Sequence, residues 1–225
     1  MNLIKNGSFE KAAKGSSPPT GNGEPVGAGE SGIAGWTVFG GLSGDGVAWL
    51  PNGNTYGVTT PFGSDFLDLT GYHDGQPYFG VEQTIKTVKG TRYDLTFHLG
   101  VDNSSNIYDG PISVTAAAGS TNQNFDYDPK KSGNQWGSFT LEFTATSSTT
   151  QISIQGLSGD QYIGLDQVAV SAVKEEPAIS PSRGSVSAFV GAMAALGGFS
   201  AGAVHPSALE APHIRALARP HAAAF

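Results

Sequence analysis

The chain contains no cysteine among its 225 residues. Disulfides, thiolate zinc sites and cysteine nucleophiles are therefore excluded. Charge is scarce too, at 14% Asp, Glu, Lys and Arg. A helix bundle draws on Glu, Lys and Leu, so this composition argues against one. Basic residues are the scarcer sign. The body before Lys174 carries eight of them against sixteen acidic residues, a net of −8. Such a body repels nucleic acid and anionic membrane surfaces, which leaves cations and neutral ligands as partners. No basic segment followed by an apolar run opens the chain, so the protein is either cytoplasmic or its leader lies outside this sequence.

Familiar catalytic signatures are missing as well. Gly41 to Asp45 and Gly156 to Asp160 both lack the final glycine of a Gly-x-Ser-x-Gly elbow. There is no His-Glu-x-x-His pair and no phosphate-binding Gly-Lys-Ser/Thr loop. Only His73 and His98 lie in the body, and alternation places His98 outward in solvent. Asp65 and Asp68 are close in sequence, but strand geometry sends them to opposite faces.

What the chain does have is glycine, 32 residues, and aromatics, 10%. The aromatics exclude disorder over the body, and the glycines suit many turns. Tyr93, Leu95, Phe97 and Leu99 alternate with polar neighbours, as do Phe139, Leu141, Phe143 and Ala145, and then Ile152 and Ile154. Period two is the mark of half-buried antiparallel strands. Further strands are expected over Leu3–Phe9, Trp36–Phe39, Val47–Leu50, Phe66–Leu69, Phe79–Ile85, Ile112–Ala117 and Ile163–Val170. About ten strands without a helix predict an all-β, antiparallel two-sheet β-sandwich over residues 1–173. Two long loops, Lys11–Gly32 and Pro51–Ser64, are where a sandwich places its binding sites.

Residues 174–225 form an Ala/Gly-rich low-complexity tail, expected to be poorly structured or helical. Its uncharged run Ser185–Val204 contains Gly198-x-x-x-Gly202 and is long enough to span a bilayer, so any membrane contact runs through this tail.

The segment Asn2 to Glu10 resembles the first strand of galactose-binding-like jelly rolls, the fold of many carbohydrate-binding modules. Gly35-Trp36, Asp45 to Trp49, Phe66 to Gly71, Val81 to Ile85, Lys89 to Phe97, Trp136, Phe139, Phe143 and Gly164 to Val168 continue the pattern in order. Together they resemble the bacterial "choice-of-anchor C" exported proteins and are similar to the plant cell-wall family called domain of unknown function 642. Glu175 to Ala178, the uncharged run, Arg215 and Arg219 resemble a reduced Pro-Glu-Pro sorting tail.

The resemblance implies two sites. First and last strands lie together in such jelly rolls, and the acidic positions matching Glu10 and Asp166 bind a structural calcium there. Asp166 shares parity with Val168 and Val170 and is expected at the edge of the core, where a carboxylate needs a partner. The second site is for carbohydrate. Sugar recognition wants flat apolar faces for pyranose C–H groups, with amides and carboxylates beside them. Trp49 offers one such face. Tyr72, His73, Asp74, Gln76 and Tyr78 supply both kinds of group, as do Asn103, Asn106 and Tyr108. Trp36 and Trp136 are expected in the core. The sequence thus reads as a non-catalytic carbohydrate-binding protein, secreted or at the cell surface, with polysaccharide as its partner. A structural surface protein anchored by its tail is the alternative, and a glycan hydrolase the weaker one.

Overall fold

Alternation decides the architecture. In the strand Arg92–Asp102 (β6), Tyr93, Leu95, Phe97 and Leu99 all point to one side and are almost fully buried. The neighbouring strand Asn134–Thr144 (β9) matches them in register: Tyr93 opposes Phe143 and Phe97 opposes Phe139, with both ring pairs stacked at 5.4 and 5.9 Å. The computed structural model describes residues 1–41, 45–72, 76–104 and 106–174, and Met1–Glu175 form one compact unit.

The other strands are β1 Glu24–Gly27, β2 Thr37–Gly40, β3 Gly46–Pro51, β4 Asp65–Asp68, β5 Phe79–Lys86, β7 Ile112–Ala118, β8 Thr121–Tyr127, β10 Thr149–Ser158 and β11 Gly164–Ala172. They form a six-stranded sheet, β1-β3-β4-β11-β6-β9, and a five-stranded sheet, β2-β5-β10-β7-β8, antiparallel throughout. The two sheets close over one core as a jelly-roll β-sandwich, and no helix occurs among the described residues.

Several elements differ from the sequence expectation. Leu3–Phe9 is not a strand. Leu3 and Gly7 do bond to the backbone of β11, but Asn6 and Phe9 adopt φ values of 53° and 56°, which break an extended chain. Trp36 and Trp49 hold this irregular segment: their indole N–H groups donate to the carbonyls of Asn6 and Phe9 at 2.9 and 3.0 Å. The first long loop contains β1, an edge strand on β3. The sequence of β8 is too polar to read as a strand, because Phe125 is its single buried residue. The expected tail lies, beyond Lys174, outside the described residues.

The second long loop, residues 52–64, covers the outer face of the six-stranded sheet. Val58 buries itself there with Ala48, Leu50, Phe66 and Tyr162 in a second apolar cluster. Trp136 belongs to this cluster and not to the inter-sheet core: it is half-buried, and its indole N–H donates to the Thr59 carbonyl at 2.8 Å. The loop is further tied down by Asn134, which accepts from Thr59 N–H and donates to the Gly57 carbonyl.

Candidate functional site

The outer face of the six-stranded sheet carries two groupings under and beside loop 52–64. The first is a cleft lined by Tyr56, Tyr72, Tyr108 and Tyr162, with Asp68, Gln161 and the apolar residues Ala48, Leu50 and Val58. It is a shallow opening that leaves room for about 80 Å³ of water-sized molecules, below the roughly few hundred Å³ of a typical small-molecule site. Strand parity explains its floor. In β4, Leu67 faces the core while Phe66 and Asp68 face outward, and Ala48 and Leu50 do the same in β3. Tyr162 lies 1% exposed just before β11, with its ring edge-on to both Phe66 and Tyr108. Tyr108 is in turn edge-on to the exposed Tyr56 at 6.4 Å.

The loops set the walls. Asn22 joins both sides: its carbonyl accepts from the Tyr72 hydroxyl at 3.0 Å, and its side chain accepts from Thr55 N–H and hydroxyl at 3.0 and 2.8 Å. Gly23 makes this approach feasible, since its φ of 97° suits glycine and a Cβ would lie 2.8 Å from the Tyr72 hydroxyl. Asp68 is nearly buried, and one of its oxygens accepts from Thr70 N–H, the Thr70 hydroxyl and Ile163 N–H. The Tyr72 hydroxyl is held well above its ordinary pKa by burial first, then by Tyr56, Glu24, Asp68 and Asp45. The cleft therefore presents aromatic surface beside the Asp68 carboxylate. Tyr162 and Asp68 escape sequence reasoning because the parity that turns them toward the cleft depends on which sheet face loop 52–64 covers.

The expected sugar-binding residues divide. The structure brings Tyr72 and Tyr108 together in the cleft. Trp49 is a correction: it is 1% exposed and points into the inter-sheet core, so no sugar reaches its ring. Tyr78 is a second correction, buried with its hydroxyl donating to the Gly159 carbonyl at 2.6 Å. Asn103 is a third. Its amide N–H groups hold the carbonyls of Pro129 and Lys131, and its oxygen accepts from Gly110 N–H, so it staples loops. Gln76 and Asn106 are exposed and do not line the cleft. His73 and Asp74 lie outside the described residues.

The second grouping is acidic. Asp166 is fully buried, and its two oxygens accept from the Thr60 hydroxyl and Gln167 N–H, both at 2.6 Å. It does not share the face of Val168. Pairing with β6 shifts register between Asp166 and Ala169, and Gln167 adopts φ 52°. The bulge takes up one residue, so Val168 faces the core while Asp166 turns outward beneath loop 52–64. Glu10 reaches the same region, where one of its oxygens accepts from Ser64 N–H and Asp65 N–H at 2.9 and 3.0 Å. Burial pushes Asp166 up to about 7, with the Thr60 and Gln167 bonds opposing and Glu10 and Asp65 adding to the rise. Asp65 is pushed up to about 6 by burial and by Glu10. Among the described residues no three His, Cys, Asp or Glu gather closely enough to hold a metal by themselves. His98 pairs with Asp166 in register and is not solvated as expected. The Phe62 ring lies against it, tilted at 49° with centroids 4.2 Å apart, and burial lowers its pKa.

Residues 2–171 match the family described as protein of unknown function (DUF642). The chain belongs to that family. This DUF642 chain is also similar to solved structures of low identity. A CBM4 structure is 18% identical, covers 76% of this chain and 99% of its own, and has a TM-score of 0.44. A TmCBM61 structure in complex with β-1,4-galactotriose is 12% identical, covers 77% and 99%, and has a TM-score of 0.44. The CBM22-1 xylan-binding domain of Paenibacillus barcinonensis Xyn10C is 11% identical, covers 70% and 99%, and has a TM-score of 0.40. No curated protein matches the sequence.

Proposed function

We propose that this protein is a non-catalytic carbohydrate-binding sandwich, exported to the cell surface or matrix, whose polysaccharide ligand enters the tyrosine cleft. The observation that carries the reading is the cleft itself. Tyr56, Tyr72 and Tyr108 border one opening above the buried Tyr162, with Asp68 and Gln161 on its wall. Aromatic faces take the C–H side of a pyranose, and the polar groups take its hydroxyls. The test is affinity electrophoresis against a polysaccharide panel, with Tyr72→Ala and Tyr108→Ala beside the wild type. Each substitution is expected to weaken binding by about tenfold, the upper end of what one aromatic contact contributes. Absence of binding to any polysaccharide sinks the proposal. The anchored structural alternative rests on the tail, outside the described residues.

We further propose a structural calcium ion at the acidic grouping. Its donors, Glu10 and Asp166, are all oxygen, as a hard cation requires. Asp166 is buried with like charges nearby, an arrangement that a bound cation would relieve. Two carboxylates underfill a shell of six to eight oxygens, so backbone carbonyls and water would have to complete it. Bound there, calcium would tie the N-terminal segment to β11. Its role is to hold the fold; the cleft uses other residues.

A further inference from the structure

Loop 52–64 has a second opening on its other side, and its meaning rests on the reading that this protein binds glycan at the cleft. A groove runs between loop residues 59–62 and the start of β9, residues 134–136. It offers about 350 Å³ of room, against about 80 Å³ in the cleft. That puts the groove within the size of small-molecule sites, roughly 300–1,000 Å³.

One glycine puts an aromatic ring in this groove. Along the outer face of β6, Thr96, His98, Gly100 and Asp102 alternate with core residues, and Gly100 stands opposite Trp136 in register. With no side chain at Gly100, the six-membered ring of the indole lies over the strand, where a Cβ would come within 2.6 Å of it. Phe62 and Phe66 meet the indole edge-on at 5.8 and 6.0 Å, and its N–H is engaged by the Thr59 carbonyl. The ring is thus fixed in place without a ligand, which lowers the entropy a ligand must overcome. Polar groups stand beside it. Asn134 accepts from Thr59 N–H and donates one amide hydrogen to the Gly57 carbonyl. A primary amide has two donors and two acceptor lone pairs, so one of each remains. The Thr59 hydroxyl makes no hydrogen bond to another described residue. Fixed ring surface with half-used amide and hydroxyl groups suits the C–H face and the hydroxyls of a pyranose. Tyr56 and Val58 line the cleft and Thr59 begins the groove, so a single pass of backbone divides the two openings.

We propose that the groove at Phe62 and Trp136 is a second glycan subsite, and that one polysaccharide chain crosses loop 52–64 to occupy groove and cleft together. Once one opening is filled, filling the other is effectively intramolecular. The ligand class is therefore an extended polysaccharide, and a disaccharide that fills one opening binds far more weakly.

Tryptophan fluorescence of the full chain reads the groove directly. Of the three tryptophans, Trp36 and Trp49 are each 1% exposed, so acrylamide quenches chiefly the half-buried Trp136. Trp136→Phe supplies the residual baseline. Xylan, galactan and mixed-linkage β-glucan are titrated beside xylobiose, galactobiose and cellobiose. A polymer that binds is expected to lower quenching toward the Trp136→Phe baseline, and to bind roughly tenfold or more tighter than its disaccharide. Phe62→Ala in the groove and Tyr56→Ala, an exposed position in the cleft, are each expected to weaken polymer binding severalfold. Quenching of Trp136 that is unchanged at saturating polymer overturns the subsite; if Tyr56→Ala still weakens that polymer, the cleft stands as the glycan site. A polymer that shields Trp136 but ignores both Tyr56→Ala and Tyr72→Ala overturns the cleft reading and the two-point binding. A disaccharide bound as tightly as its polymer also overturns two-point binding. Failure of every polymer to bind overturns the glycan reading and this inference with it.

Discussion

Asp166 makes the sharpest prediction, because its environment reverses the usual pH behaviour of an aspartate. Its carboxyl is fully buried and stands at about 7 in the folded protein, against 3.8 unperturbed. The folded state therefore binds this proton more tightly than the unfolded chain does. As pH rises from 4 to 7, the unfolded chain has already lost the proton that the folded state still holds. The contribution of Asp166 to metal-free stability then falls with pH, at most about 1.4 kcal/mol per unit and about 4 kcal/mol in total. The perturbation is Asp166→Asn, which keeps the shape, accepts from Gln167 N–H and donates to the Thr60 hydroxyl. It removes the ionisation and with it the penalty. In chelator at pH 8 the variant should melt roughly 10 °C above the wild type, and at pH 4 the two should coincide. Saturating calcium should close most of that gap at pH 8. The wild type gains about 4 kcal/mol at a thousandfold excess over Kd, and the variant, short of one ligand, gains far less. Calorimetry at pH 4, 6 and 8, with chelator and with calcium, gives every comparison. A difference between the two proteins that stays flat from pH 4 to 8 in chelator refutes the electrostatic reasoning. An unchanged wild-type midpoint on adding calcium refutes the ion.

Three further outcomes follow from the packing. Trp49→Ala should cost about 3–5 kcal/mol in urea unfolding, the range for a fully buried aromatic, and a mild loss with abolished sugar binding would place the ring at the ligand instead. Asn22→Ala removes the acceptor that Thr55 uses from both its N–H and its hydroxyl; we expect several-fold weaker glycan binding with a melting temperature within about 3 °C of wild type, checked by titration and calorimetry side by side. Gly7→Ala puts a Cβ 1.8 Å from the Val168 carbonyl oxygen, so the N-terminal segment must leave β11; faster hydrogen exchange at Leu3 and Val168 amides reports it, and native protection there would show that the backbone yields instead.

Much of the sandwich could be read directly. Phe97, Leu141 and Ile154 sit where period two puts them because a strand's side chains alternate whatever surrounds it, and water penalises only one of the two faces. The same rule misplaced Asp166. One bulge residue, Gln167, inverts parity within β11, and nothing in Leu-Asp-Gln-Val as a string announces it. Trp49 and Tyr78 were misjudged because polar neighbours in sequence are not neighbours in space. Trp49 faces the core side of β3, and Tyr78, just before β5, joins the same core. Asn103 has the composition of a ligand contact, yet its hydrogen bonds are spent on carbonyls more than twenty residues away.

The sequence alone determined the two-layer β class, the acidic field and the absence of thiol chemistry, since these depend on residue type and local periodicity. Only the tertiary structure decided which aromatics meet. Tyr56, Tyr72, Tyr108 and Tyr162 come from four separate segments, and what unites them is loop 52–64 folding over one face of one sheet. That choice rests on burial of Val58 and Trp136 and on hydrogen bonds spanning more than seventy residues, contacts that exist only once the strands have paired.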